Sequence, residues 1–152
     1  MGNHHAQDAK PNVAAPIRRL FFDRDKAGWN NVRLGFESLV CVAALTHRQL
    51  IIPPPTAIDH LRDQLFHELQ VYDAAALVNV VSFASGAEAP PRNLPRFGGD
   101  LSQLLDAERR GELANDVYVD PRRTRIQHFE CLRLNAADAR DAARTVLRLR
   151  VA

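Results

Sequence analysis

Residues 20–55 read LFFDRDKAGWNNVRLGFESLVCVAALTHRQLIIPPP, and this stretch decides the fold. It opens on the apolar run Leu20-Phe21-Phe22. A continuous run, rather than strict alternation, predicts a short strand over residues 17–23 that is buried on both faces. A loop follows, Ala27-Gly28-Trp29-Asn30-Asn31, in which Asn30 or Asn31 is expected to cap a helix. Val32, Phe36, Leu39, Val40 and Ala43 then recur at helical spacing. Arg33 and Glu37, four apart, are expected to pair on the other side of that helix. The helix should end near Thr46-His47-Arg48, where a cation meets the negative end of the dipole. A second strand is predicted over residues 49–52, closed by Pro53-Pro54-Pro55. Strand, glycine turn, helix and strand make one parallel βαβ unit, so the expected fold is α/β: a Rossmann-like, three-layer parallel sheet with flanking helices.

Working outward, residues 1–15 are polar and aperiodic and read as a disordered tail, leaving residues 16–152 as one domain. Beyond the prolines, Ile58, Leu61, Leu65, Phe66 and Leu69 fit one face of a helix. Asp73 is placed to cap a short helix over residues 74–78, and residues 79–83 read as a third strand. Residues 85–99, rich in proline and glycine, read as a surface loop. Asp100 is expected to cap a helix running to Arg110, which Gly111 ends. Short strands are predicted at residues 117–119 and 126–129, and Asn135 should cap a last helix with Arg140, Arg144 and Arg148 on one face.

Composition excludes several classes. A net charge of +2 is too small to argue for a nucleic-acid partner. No run of 18 apolar residues is present to span a membrane, and the N-terminus has no apolar signal core. Two distant cysteines, Cys41 and Cys131, make no disulfide framework and suit a reducing, cytoplasmic setting. His4-His5 lack a third ligand nearby, so no metal is expected. His60 and His67, seven apart, fit one solvated helix face. Ser38 and Ser102 have no partnered base to make them nucleophiles.

The candidate site is the glycine loop. Where a strand's carboxyl end meets a helix's amino end, free backbone N–H groups and the helix dipole favour a phosphate. Gly28 suits a close approach or a positive φ, Asn30 and Asn31 supply amides, Arg33 can reach back to an anion, and Trp29 can pack beneath the loop or stack on a ligand. One glycine is not a dinucleotide fingerprint, and no Lys-Ser/Thr pair follows to make a P-loop.

Residues 27–55 resemble the N-terminal segment of the O-fucosyltransferase-like glycosyltransferases. That segment is a Gly-(aromatic or Leu)-Asn-(Asn/Gln)-x-Arg loop, a helix, and a strand ending in prolines. Gly28, Asn30, Asn31, Arg33, Gly35, Arg48 and Pro53-Pro54 match, while Ala27 stands where a second glycine is usual. The likeness extends weakly to residues 66–68 and 126–129. The resemblance implies the N-terminal half of a two-domain GT-B fold, transferring fucose from GDP-fucose to a hydroxyl acceptor without a required metal or other cofactor. In that family most donor contacts, including a diphosphate arginine in a His-x-Arg-x-Gly-Asp-like motif, come from the C-terminal domain. His60-Leu61-Arg62-Asp63 only echoes that motif. The chain is therefore expected to be incomplete relative to such an enzyme and inactive alone. Its expected partners are GDP-fucose and either a C-terminal domain or a second copy. Some family members place a carboxylate base in the loop. Lys26 or Ala27 falls there, so the role does not carry over, and the catalytic residue is unassigned. The competing expectations are a noncatalytic α/β module that binds a nucleotide sugar or a protein, and a truncated reading frame.

Overall fold

The computed structural model describes residues 14–25, 27–59, 61, 64–85 and 89–120, together with Ala137, Arg140, Asp141, Ala143, Arg144, Thr145 and Arg148, which are helical. Within these, β1 (Arg19–Phe22) leads through the glycine turn to α1 (Trp29–Leu45) and then to β2 (Gln49–Ile52). Two short strands, β3 (Thr56–Ala57) and β4 (Leu65–Phe66), form a separate antiparallel pair. A 3-10 turn (Glu68–Gln70) and α2 (Ala74–Val78) lead to β5 (Phe83–Ser85). β6 (Arg96–Phe97), α3 (Leu101–Arg109) and β7 (Asp116–Val119) follow.

Five of these strands form one parallel sheet in the order β5-β2-β1-β7-β6. The fold is thus α/β and Rossmann-like, with helices flanking a parallel sheet. The strand order reverses at β1, which pairs with β2 on one side and β7 on the other. β7, the last of the described strands in sequence, lies inside β6, the reverse of a plain doubly wound order.

The core follows from the period of two. Leu20, Phe22, Leu50, Ile52, Val117 and Val119 join Phe36, Leu39, Val40 and Ala43 of α1 and Leu101 and Leu104 of α3 in one cluster. Phe21 and Ile51, which alternate with these, are only 2% exposed, so the central strands are buried on both faces as their unbroken apolar runs require.

Three expectations are corrected. The described residues among 58–69 do not form one helix. The β3–β4 pair and the 3-10 turn replace it, and Ile58 and Phe66 pack with Val32 in a small satellite cluster. Their spacing fitted a helical face because short buried apolar runs carry no decisive period. Residues 85–99 are not all loop, since Ser85 ends β5 and Arg96–Phe97 add an edge strand too short to announce itself. The third strand sits at Phe83–Ser85 rather than over residues 79–83. By contrast, α2 is capped by Asp73 as expected, and α3 runs from an Asp100 cap to Gly111, whose φ of 68° is the left-handed value that glycine adopts freely. The predicted strand at residues 126–129, Asn135, His60, Cys131, His4-His5 and residues 1–13 of the expected tail lie outside the described residues. Arg140, Arg144 and Arg148 are exposed.

Candidate functional site at the carboxyl edge of the sheet

Parallel strands send all their carboxyl ends to one edge, and ligands of open α/β sheets bind there, beside the reversal of strand order. At that edge the chain carries Asp23, Arg24 and Asp25 after β1, Pro53-Pro54-Pro55 after β2, Gly98-Gly99 after β6 and Asp120 after β7.

The loop residues named from the sequence sit here at the start of α1. Gly28 is the N-cap, but its φ of −57° and ψ of 156° are open to any residue, so it is not there for a positive φ. Neither Asn30 nor Asn31 caps the helix. Both lie inside its first turn, and no side chain caps α1 at all. Asn30 is exposed and Asn31 half-buried. Trp29, 38% exposed, sets its ring edge-on to Phe66 at 5.4 Å between centroids, so it packs while keeping an open face. Arg33 turns along the helix, donating from Nη1 to Glu37 Oε1 at 3.1 Å and from Nη2 to Asn30 Oδ1 at 3.2 Å, and does not reach back over the turn. Asp25, just after β1, shapes the loop. Its Oδ1 accepts the Ala27 N–H at 2.9 Å, while its buried Oδ2 has no partner.

The brace beneath the loop was not read from the sequence. Arg24 and Glu68 form a buried two-point ion pair, with Nε to Oε1 at 2.7 Å and Nη2 to Oε2 at 2.5 Å. Arg24 also donates to the carbonyls of Pro54 and Pro53 at 2.8 and 3.0 Å, tying the exit of β1 to the exit of β2. The signal available was the proline run, whose carbonyls have no neighbouring N–H partners and need a donor from elsewhere.

His67 is buried rather than solvated. Its Nδ1 accepts the Leu69 N–H at 3.1 Å, which leaves the proton on Nε2, 3.1 Å from Ser85 Oγ. His67 therefore donates to Ser85 and cannot act as the base that would make Ser85 a nucleophile. Burial is the main cause that holds its pKa below the usual histidine value, with Arg24 adding to the effect and Glu68 opposing it.

Beside the brace, Asp23, Tyr118 and Arg96 interlock. Tyr118 Oη donates to Asp23 Oδ1 at 2.5 Å, Arg96 Nε donates to Asp23 Oδ2 at 2.9 Å, and the guanidinium lies 4.6 Å over the Tyr118 ring. Burial and the Asp23 carboxylate push the Tyr118 hydroxyl above its usual pKa, so it stays a donor. Asp23, Arg96 and the proline run border a cleft of about 430 Å³. A second cleft of about 500 Å³ is larger but opens at the amino edge, near Arg18, His47 and Arg48. Arg48, one of the residues matching the glycosyltransferase pattern, is buried there. It donates to the carbonyls of Ala114 and Asn115 and to Glu108, and so holds the fold together far from the loop.

Among the described residues, no group of three or more His, Cys, Asp or Glu side chains is placed to hold a metal, and no helix is long and apolar enough to cross a membrane. No protein-family profile, curated protein or solved structure matches the chain.

Proposed function

We propose that this chain is the N-terminal Rossmann-like half of a fucosyltransferase-like glycosyltransferase, binding GDP-fucose at the turn from Gly28 to Asn31 and inactive until a C-terminal half supplies the rest of the site. The observation that carries the reading is the amino end of α1. This 17-residue helix begins at the carboxyl edge with no side-chain cap and no acidic residue in its first turn, whereas Asp73 caps α2 and Asp100 caps α3. An uncapped helix start leaves backbone N–H groups and the positive dipole end for an anion, here the diphosphate. Trp29 and Asn30 stand exposed at the same place, and the pattern of residues 27–55 agrees with the family.

Departure of GDP needs positive charge on the diphosphate. Arg33, on α1, is committed to Glu37 and Asn30, so in this reading the charge comes from a C-terminal half. We place the protein in the cytoplasm: Cys41 is a buried cysteine whose thiol burial and Glu37 push up to about 12, which suits a reducing compartment.

The test is NMR titration with GDP-fucose, followed at the Trp29 indole and the Asn30 and Asn31 side-chain amides, alongside an assay for GDP release. Binding without turnover is expected. Undisturbed signals at millimolar ligand would remove the reading. Robust GDP release abolished by Asn31→Ala would show instead that the chain is a whole enzyme.

A further inference from the structure

The cleft between Asp23, Arg96 and the proline run takes no part in the diphosphate argument, and its chemistry differs from that of the loop. We propose that it binds one neutral sugar ring, free or carried on a nucleotide, with Asp23 and Arg96 as its hydrogen-bonding pair. Only the nucleotide-carried form rests on the reading above.

Charge decides the class of ligand. Arg96 and Asp23 neutralise each other at 2.9 Å, and the buried Arg24 is matched by Glu68. An incoming phosphate would meet the Asp23 carboxylate beside the guanidinium it sought, and would have to break that pair to bind. A hydroxyl pair meets no such conflict. One hydroxyl donates to the carboxylate while its neighbour accepts from the guanidinium, and no net charge is buried.

Exposure decides availability. The Arg96 side chain is 45% exposed and that of Asp23 28%, so both keep donors and acceptors turned to solvent. The pair is nevertheless held in place. Tyr118 Oη donates to Asp23 and accepts from Arg96 Nη2 at 3.2 Å, and its ring lies under the guanidinium. Phe22 and Pro53-Pro54-Pro55 also line the cleft, an apolar surface for the C–H face of a sugar. A cleft of about 430 Å³ lies within the range of small-molecule sites. Position agrees, because Asp23 follows β1 and Tyr118 lies on β7, the two strands flanking the reversal of order.

The test uses the full chain, with isothermal titration of GDP-fucose and of GDP, and an NMR titration of L-fucose followed at the Asp23, Arg96 and Tyr118 amides. For a sugar bound from its nucleotide, GDP-fucose should bind at least about tenfold tighter than GDP, a difference of about 1.4 kcal/mol. Asp23→Asn and Arg96→Gln should each erase that margin and leave GDP affinity unchanged. For a sugar bound free, L-fucose should shift the three amides in the wild type and not in either variant, whether or not GDP binds. Arg96 sits on a two-residue edge strand and is half exposed, so its variant should melt like the wild type and report on binding alone. Equal affinities for GDP-fucose and GDP, with no response to L-fucose, would overturn the cleft and leave the diphosphate loop standing. A margin that survives both substitutions would do the same. GDP failing to bind while L-fucose shifts the cleft would overturn the loop and leave the sugar site standing.

Discussion

Two helices start at the same edge of the sheet after a glycine turn, and they start in opposite ways. α3 follows β6 through Gly98-Gly99 and closes its own end. Asp100 Oδ1 accepts the Gln103 N–H at 2.8 Å, and Gln103 Oε1 accepts the Asp100 N–H at 2.9 Å. α1 follows β1 through Gly28 and has no side-chain cap, while the chain before it is tied down by the buried Arg24–Glu68 pair and by Asp25. One end satisfies itself and has little left for a ligand. The other is braced from outside, which fixes the turn and leaves it without a side-chain cap, although the Asn31 N–H donates to the Gly28 carbonyl at 3.0 Å. A glycine pair in the sequence would draw attention to α3, yet the single glycine marks the end that is open.

The largest effect should come from the brace. Arg24→Ala leaves Glu68 charged and buried without its partner, and Glu68→Ala does the same to Arg24. Each should cost about 3–5 kcal/mol in urea unfolding. The double variant Arg24→Met, Glu68→Leu should recover most of that loss, since two apolar chains of similar size remove both charges from the interior. The carbonyl of Pro54 is on an exposed residue and can turn to water when its donor goes. If Arg24→Ala cost no more than a surface substitution, the external brace would be an illusion and the contrast between the two turns would fail.

The far end of α3 is also anchored. Glu108 bonds Arg48 Nη2 at 2.7 Å and also pairs with Arg18. Burial alone would raise its pKa, but the hydrogen bonds and charges of Arg48 and Arg18 outweigh burial and hold it below 4.5. A depressed carboxylate contributes stability that is fully present above the unfolded value and is lost as pH falls through the folded one. Stability should therefore decline below about pH 4.5, and Glu108→Gln should flatten that part of the acid limb while costing about 1.5 kcal/mol at neutral pH. An acid limb unchanged by the substitution would mean that the anchor is not ionic.

The α3 side of this contrast was legible in the sequence and the open start of α1 was not, since Asn30 or Asn31 was expected to cap it; what was legible has local reasons. The apolar runs at Leu20 and Leu50 and the periodicity of α1 are set by neighbours in the chain, and so are the Asp73 and Asp100 caps. The β3–β4 pair and β6 were missed because two-residue strands have no period to detect. Arg24 with Glu68, and Asp23 with Tyr118 and Arg96, are partners 44, 95 and 73 residues apart, joined only once the sheet has formed. Arg48 and Gly35 show the reverse failing of a motif. Both match the glycosyltransferase pattern, yet Arg48 is a buried tie at the opposite edge, and a Cβ added at Gly35 would meet nothing within 4 Å.

The smallest effect on stability separates the two turns most sharply. Asp100→Ala removes a cap that α3 uses and should cost about 1 kcal/mol. Gly28→Asp adds a cap that α1 lacks, at a φ and ψ that any residue can adopt. A carboxylate there would accept an N–H of the first turn and sit at the positive end of the dipole, so α1 should gain about 0.5 kcal/mol. The same carboxylate would occupy the N–H groups offered to the diphosphate and repel it, so GDP-fucose affinity should fall at least about tenfold, a loss of about 1.4 kcal/mol. Most substitutions that weaken a binding site also weaken the fold, or leave it alone. One that strengthens the fold while closing the site is the signature of a helix end left open for a ligand. If Gly28→Asp stabilised the chain and GDP-fucose bound as before, the open end of α1 would be only an imperfect helix start, and the anion would have to be sought elsewhere on the edge.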